Sequence, residues 1–316
     1  MRRFLPFTAF ALLAAAALAD NEELGPKFQV FPWDNPWHWD VSGFKVHPDS
    51  AKFVANAGAD KPMHPDWGTN YGIPYVVVTS KQKKQKILEW QYGDESDKDP
   101  YPIPDNPPIE GGPDAEPDSD RHILMIDRDS MMLYELFQVL PFEKGKEKGW
   151  KAGSGAIWNL RSNEQRKEGW TSADAAGLAI FPGLVRYEEV ERGKIDHAIR
   201  FTVQKSAKKY WFPATHHAGR GDDADLPPMG MRIRLKASFE IKGFGKQAKV
   251  VLEALKKHGG ILADNGSDWF FTGCPDKRWN DDDLNGLKKV KGSDFEVLET
   301  LDSKGKPITP PGVKLK

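Results

Sequence analysis

Two short runs constrain this chain more than anything else in it. His122-Ile-Leu-Met-Ile-Asp127 and Met132-Leu-Tyr-Glu-Leu-Phe137 are rich in strand formers and are separated only by Arg128 to Met131. Too short for helices and joined by a tight polar turn, they read as an antiparallel hairpin. With Asp129 and Ser130 at the turn, period-two alternation puts His122, Leu124, Ile126, Leu133, Glu135 and Phe137 on one face. Glu135 there is either a structural partner at a half-exposed edge or a carboxylate tuned for chemistry on a rigid strand.

The rest of the chain supplies further strands and one helix. Ile73 to Val78 and Ile87 to Tyr92 are strands by their β-branched and aromatic content, with the basic run Lys81 to Lys86 as a solvated hairpin turn between them. Met231 to Ile241 alternates, with Met231, Ile233, Leu235, Ala237, Phe239 and Ile241 inward and a basic ladder of Arg232, Arg234 and Lys236 outward. Ile261 to Thr272 reads as two short strands around an Asn-Gly turn flanked by Asp264 and Asp268. Lys246 to His258 has helical spacing and stops at Gly259; a short capped helix follows near Asp281 to Lys289, and a strand at Phe295 to Leu298. The expected fold is mainly β, an antiparallel β-sandwich or jelly roll with one substantial helix in the C-terminal half.

Met1 to Ala19 has the form of a secretory signal peptide: Arg2 and Arg3, an apolar stretch, then Ala17-Leu18-Ala19. No later run approaches the ~18 apolar residues of a spanning helix, so a secreted or periplasmic protein is expected. Residues 20–300 read as a single β-rich domain and 301–316 as a flexible tail. The stretch 93–120, rich in Asp, Glu, Pro and Gly, reads as a long loop anchored by Tyr101, Ile103 and Ile109. A split into two small domains within that loop is the other arrangement open. The 45 basic and 46 acidic residues leave a net charge of -1, which gives no grip on nucleic acid or an anionic membrane. The single cysteine, Cys274, excludes an intrachain disulfide and a cysteine zinc cage. No phosphate-binding glycine loop occurs, so neither a nucleotide nor any other cofactor is expected.

Trp170 to Phe201 is the richest stretch chemically. It sets Asp174 among small residues, continues through a Pro-Gly turn and Arg186, and ends on a strand carrying Asp196, His197 and Arg200. Asp174, Asp196, Glu135, Asp264 and Asp268 are the candidate catalytic carboxylates, since two carboxyls ~5–9 Å apart suit glycoside hydrolysis. Arg186, Arg200 and His197 are candidates for holding substrate. Trp33, Trp37 and Trp39 lie in a proline-broken, extended segment; they either plug the core or, with Trp269, form a stacking platform for sugars.

The strings Gly-Trp-Thr-Ser-Ala-Asp-Ala-Ala-Gly-Leu (169–178), Phe-Pro-Gly-Leu-Val-Arg (181–186), Ile-Asp-His-Ala-Ile-Arg-Phe (195–201), Pro-Pro-Met-Gly-Met-Arg-Ile-Arg-Leu-Lys-Ala-Ser-Phe (227–239) and Ala-Asp-Asn-Gly-Ser-Asp-Trp-Phe (263–270) resemble a family of secreted microbial proteins usually called hypothetical or labelled ATP/GTP-binding. The resemblance covers most of the chain beyond the leader and implies secretion, but no activity. The leading expectation is a secreted carbohydrate-active enzyme, a glycoside hydrolase or polysaccharide lyase, that cleaves a polysaccharide or oligosaccharide by carboxylate acid/base chemistry. A noncatalytic glycan-binding or cell-envelope protein is the second reading. A metal-dependent enzyme using His64, His122, His197 or His216 with a nearby Asp is the third.

Overall fold

The hairpin forms in the register its alternation dictates, and the molecule is layered around it. The computed structural model describes residues 24–25 and 28–315, so the expected leader at 1–19 lies outside the described residues. In chain order, a 3-10 turn at Pro36–His38 and helix α1 (Ser50–Asn56) precede strands β1 (His64–Asp66), β2 (Tyr75–Val78) and β3 (Ile87–Trp90). Strands β4 (Ile123–Asp127), β5 (Met132–Phe137), β6 (Leu140–Lys144), β7 (Glu147–Ala152) and β8 (Ser154–Asn159) follow without an intervening helix. Helix α2 (Tyr187–Glu191), strands β9 (Ile199–Val203) and β10 (Arg232–Leu235) and helix α3 (Lys246–Lys257) come next. Strands β11 (Gly260–Asn265) and β12 (Phe270–Thr272), helix α4 (Asp281–Asn285) and strand β13 (Phe295–Val297) complete the chain.

The fold is mainly β, and its mixed sheets curl into a half-barrel. The sheets have orders β1-β12-β9-β11-β10-β13, β2-β4-β5-β8 and β3-β7-β6. Antiparallel pairings outnumber parallel ones, the parallel pairs being β1 with β12, β9 with β11, β2 with β4 and β3 with β7. The longest helix among the described residues, α3, ends at Lys257, two residues before Gly259, whose φ of 68° favours a residue without a side chain.

Asp127 pairs with Met132 and Leu124 with Glu135 across the hairpin. One face of β4 and β5, with Leu124, Ile126 and Leu133, joins β9, β11 and α3 in the main core. The other face, with Ile123, Met125, Tyr134 and Leu136, is covered by Tyr101, Ile103 and Ile109. The loop at 93–120 therefore packs down because it seals a sheet that would otherwise present an apolar face to water. No described helix is long and apolar enough to cross a membrane.

Several local expectations need correction. Lys81 to Lys86 is not a hairpin turn, because β2 pairs with β4 and β3 with β7 in different sheets. The segments around the Asn-Gly turn do not pair with each other: β9 lies between β11 and β12. The strand expected over 231–241 stops at Leu235, and its basic ladder is not a solvated face. Arg232 is buried and donates to the carbonyls of Pro36 and His258, while Arg234 meets Glu296 and the carbonyls of Val41 and Ser42. The tryptophan segment is not extended throughout, since Pro36 opens a 3-10 turn capped by the Asn35 side chain. The helix near Asp281 to Lys289 is α-helical only to Asn285 and continues as a 3-10 turn over Gly286–Lys289.

Candidate functional site

Two of the five candidate carboxylates meet, and the residue that joins them is Arg200. It projects from β9, in the middle of the six-stranded sheet, toward the loop that holds Asp174. Arg200 Nε lies 2.6 Å from Asp174 Oδ2 and its NH2 2.8 Å from Oδ1, a buried bidentate pair. The same NH2 reaches Asp264 Oδ2 at 3.2 Å, and NH1 donates to Thr272 Oγ1 at 2.8 Å. β11 runs parallel beside β9 and places Asp264 opposite Thr202, after a bulge that follows Leu262. That bulge aims the Asp264 carboxyl at the guanidinium.

The Asp174 loop is held from below by its own neighbours. Ser172 Oγ donates to the Leu178 carbonyl at 2.5 Å and accepts from the Asp174 amide at 2.9 Å, and Ser154 Oγ from β8 donates to the Ser172 carbonyl. Asp174 itself is buried, with both oxygens committed. Asp264 is different, because its side chain keeps 23% of its surface open. It lines a cavity of about 310 Å³ together with Tyr92, Glu95, Phe137, Asp174 and His216. Burial, and then the negative Asp174, push the Asp264 carboxyl well above the ordinary carboxylate range, against the opposing pull of Arg200. The cleft thus sets a carboxyl that favours its protonated form beside a carboxylate paired with arginine.

On the far wall, Glu95 Oε2 accepts from the Thr171 amide at 3.0 Å and faces His216 Nε2 at 3.8 Å. His216 Nδ1 donates to the Ala175 carbonyl at 2.7 Å, which turns Nε2 toward Glu95. Behind the cavity, His122 stacks near Phe137 with ring centroids 5.5 Å apart. Its Nδ1 is 2.5 Å from Glu110 Oε2 and its Nε2 donates to the Ala173 carbonyl at 3.1 Å. Burial opposes charge on His122, but Glu110 outweighs it and lifts the imidazole to about 9. Asp66, on β1 beside Thr272, is raised by burial and then by Glu110 and Asp120. The chain matches no family model, no curated protein and no solved structure. What the cleft does is read from its own atoms.

The other candidates lie elsewhere. Glu135 is fully buried; Oε1 accepts from the amides of Ile180 and Phe181, and Oε2 from the Trp158 indole at 3.1 Å. It has no open approach to a substrate and is corrected to a structural acceptor. Asp196 pairs with Lys194 at 2.7 Å and lies 4.0 Å from His258, before β9 begins and away from the cavity. Asp268 pairs with Lys61 at 2.5 Å and accepts from the Gln204 amide, fixing the turn before β12.

Arg186 is consumed by Glu189 and by the carbonyls of Phe181 and Leu184, and His197 also meets Glu189, so neither is free for substrate. Arg200 is buried and gives four of its five N–H groups to Asp174, Asp264 and Thr272, which orders the site. Trp39 and Trp269 are buried, while Trp37, also largely buried, lines a separate cavity of about 580 Å³ with Phe31 and Trp158, so the three form no joint stacking platform at the Asp264 cleft. Of the four histidines, His64 stacks on Phe270, whereas His122 and His216 border the cleft. Sequence reasoning missed Glu95, Glu110, Asp120 and Asp66. The long acidic loop was the signal for the first three, but nothing in it marked which of its carboxylates turn inward.

Proposed function

We propose that the Asp264 cleft is the catalytic site of a secreted carbohydrate-active enzyme that cleaves a polysaccharide by carboxylate acid/base chemistry. The observation that carries this reading is Asp264 itself: partly open to a cavity of about 310 Å³ and held toward its protonated form by burial and by Asp174. A carboxyl in that state donates its proton to the leaving glycosidic oxygen as the C–O bond breaks. Glu95, across the same cavity, is the base that takes a proton from the attacking water, with His216 beside it. Asp174 and Arg200 are positioning residues, fixing the Asp264 carboxyl by charge and by the 3.2 Å contact. Export is supported by the leader pattern at the start of the sequence.

At this cleft carboxylates and no indole form the wall, which favours chemistry there over noncatalytic glycan stacking; the indoles Trp37 and Trp158 line a separate cavity of about 580 Å³. Asp264→Asn keeps the shape and removes the transferable proton. Against a polysaccharide panel with products read by mass spectrometry, this variant is expected to cleave about 100- to 10,000-fold more slowly than the parent. Unaltered cleavage by Asp264→Asn would remove the reading.

A further inference from the structure

We propose that Glu110, Asp120 and His122 form a binding site for one divalent transition-metal cation of the zinc or manganese type at the edge of this cleft. One donor atom from each of the three lies within 4.8 Å of the others, close enough for small side-chain movements to bring all three onto one ion. His122 is 1% exposed, and its Nδ1 faces Glu110 within the cluster. The Ala173 carbonyl can only accept, so Nε2 carries a proton and Nδ1 is the ring atom turned to the cluster. There, 2.5 Å away, it meets Glu110 Oε2 across a hydrogen bond, and a bound cation would take the place of the proton the two share. A histidine whose outer nitrogen is fixed by a backbone carbonyl is the arrangement that orients metal-ligating imidazoles.

The charge around the cluster points the same way. Asp66, Glu110, Asp120, Asp174 and Asp264 all act on the same electrostatic neighbourhood, whose arginine is Arg200. Arg200 directs four of its five N–H groups to Asp174, Asp264 and Thr272, and no hydrogen bond joins it to Glu110 or Asp120 among the described contacts. The backbone holds the three ligands in place before any ion arrives. The Glu110 amide donates to the His122 carbonyl at 3.1 Å, and the Gln138 amide donates to the Asp120 carbonyl at 2.7 Å. Between them, the buried Arg121 ties its guanidinium to the carbonyls of Pro113, Ala115 and Val139, pinning the loop onto the sheet. One imidazole with two carboxylates favours zinc or manganese over calcium, which prefers an all-oxygen shell. Three protein ligands also leave room for water, as in open catalytic centres.

The proposal is independent of glycoside cleavage and is tested without a polysaccharide. Metal-free protein is titrated calorimetrically with Zn²⁺, Mn²⁺ and Ca²⁺ at pH 7. One Zn²⁺ or Mn²⁺ per chain is expected to bind, at least tenfold tighter than Ca²⁺. Glu110→Gln and Asp120→Asn are each expected to weaken that binding tenfold or more, while Asp114→Asn and Asp118→Asn in the same loop leave it unchanged. Asp120 is exposed, so its variant keeps the fold, as circular dichroism will verify. Absence of stoichiometric binding, equal binding by Asp120→Asn and the parent, or a preference for Ca²⁺ overturns the proposal and leaves a proton-bridged His122–Glu110 pair.

Discussion

Carboxylates of one chemical type are put to three uses in this protein, and neighbours decide which. Asp174 is spent on Arg200, Glu135 on amide and indole donors, and only Asp264 keeps an open edge on a cavity. Every group bonded to Glu135 is a donor, so Glu135→Gln turns an amide NH₂ toward at least one N–H. That substitution is expected to cost ~2–3 kcal/mol in denaturant unfolding, and an unchanged midpoint would contradict the structural role.

His258 gives a pH prediction. Burial lowers its folded pKa from 6.5 to about 4, so below pH 6.5 the unfolded chain binds a proton that the folded chain refuses. Stability from this residue is complete above pH 6.5 and lost as pH falls toward 4, by ~3 kcal/mol from a shift of that size. His258→Gln should flatten that part of the stability profile; an unaltered slope would contradict it. None of these roles is visible in the sequence, where Glu135, Asp174 and Asp264 differ only in position.

At the scale of elements, local patterns were legible and pairings between distant strands were not. The register of β4 with β5 followed from alternation and a short turn, and α3 from its spacing and Gly259. The relation of β11 to β12 did not, because a strand from 60 residues earlier lies between them, and no local pattern encodes such an insertion. The 231–241 segment failed for another reason. Its alternation continues past Leu235, but Lys236 instead donates to the Asp294 carbonyl through a loop amide hydrogen bond, and the pairing with β13 ends. The turn from α3 into β11 is the tightest test of these connections. A Cβ at Gly259 would sit 1.9 Å from the Ile233 carbonyl oxygen at a φ of 68°. Gly259→Ala is therefore expected to lose ~2 kcal/mol or more in urea unfolding, and a neutral result would contradict the close approach of the Ile233 carbonyl.

At the scale of the molecule, the cleft exists because two sheets share one core while their loops meet above it. β9 and β11 deliver Arg200 and Asp264 from one sheet; the 171–175 loop, resting on β8, delivers Asp174 from the other side. The sequence marked Asp174, Arg200 and Asp264 as candidates but also marked Asp196, Asp268 and the indoles, since only the assembled sheets sort inward carboxylates from turn-fixing ones. The central claim is that Asp264 works as a proton donor, and the pH profile of polysaccharide cleavage tests it most directly. A donor whose pKa is raised gives activity that persists above the ordinary carboxylate range and falls as the pH climbs through that raised value. The account predicts such a fall in the parent, retained in Glu95→Gln at a lower rate, with cleavage nearly abolished in Asp264→Asn. Full cleavage by Asp264→Asn with the same falling limb would contradict it.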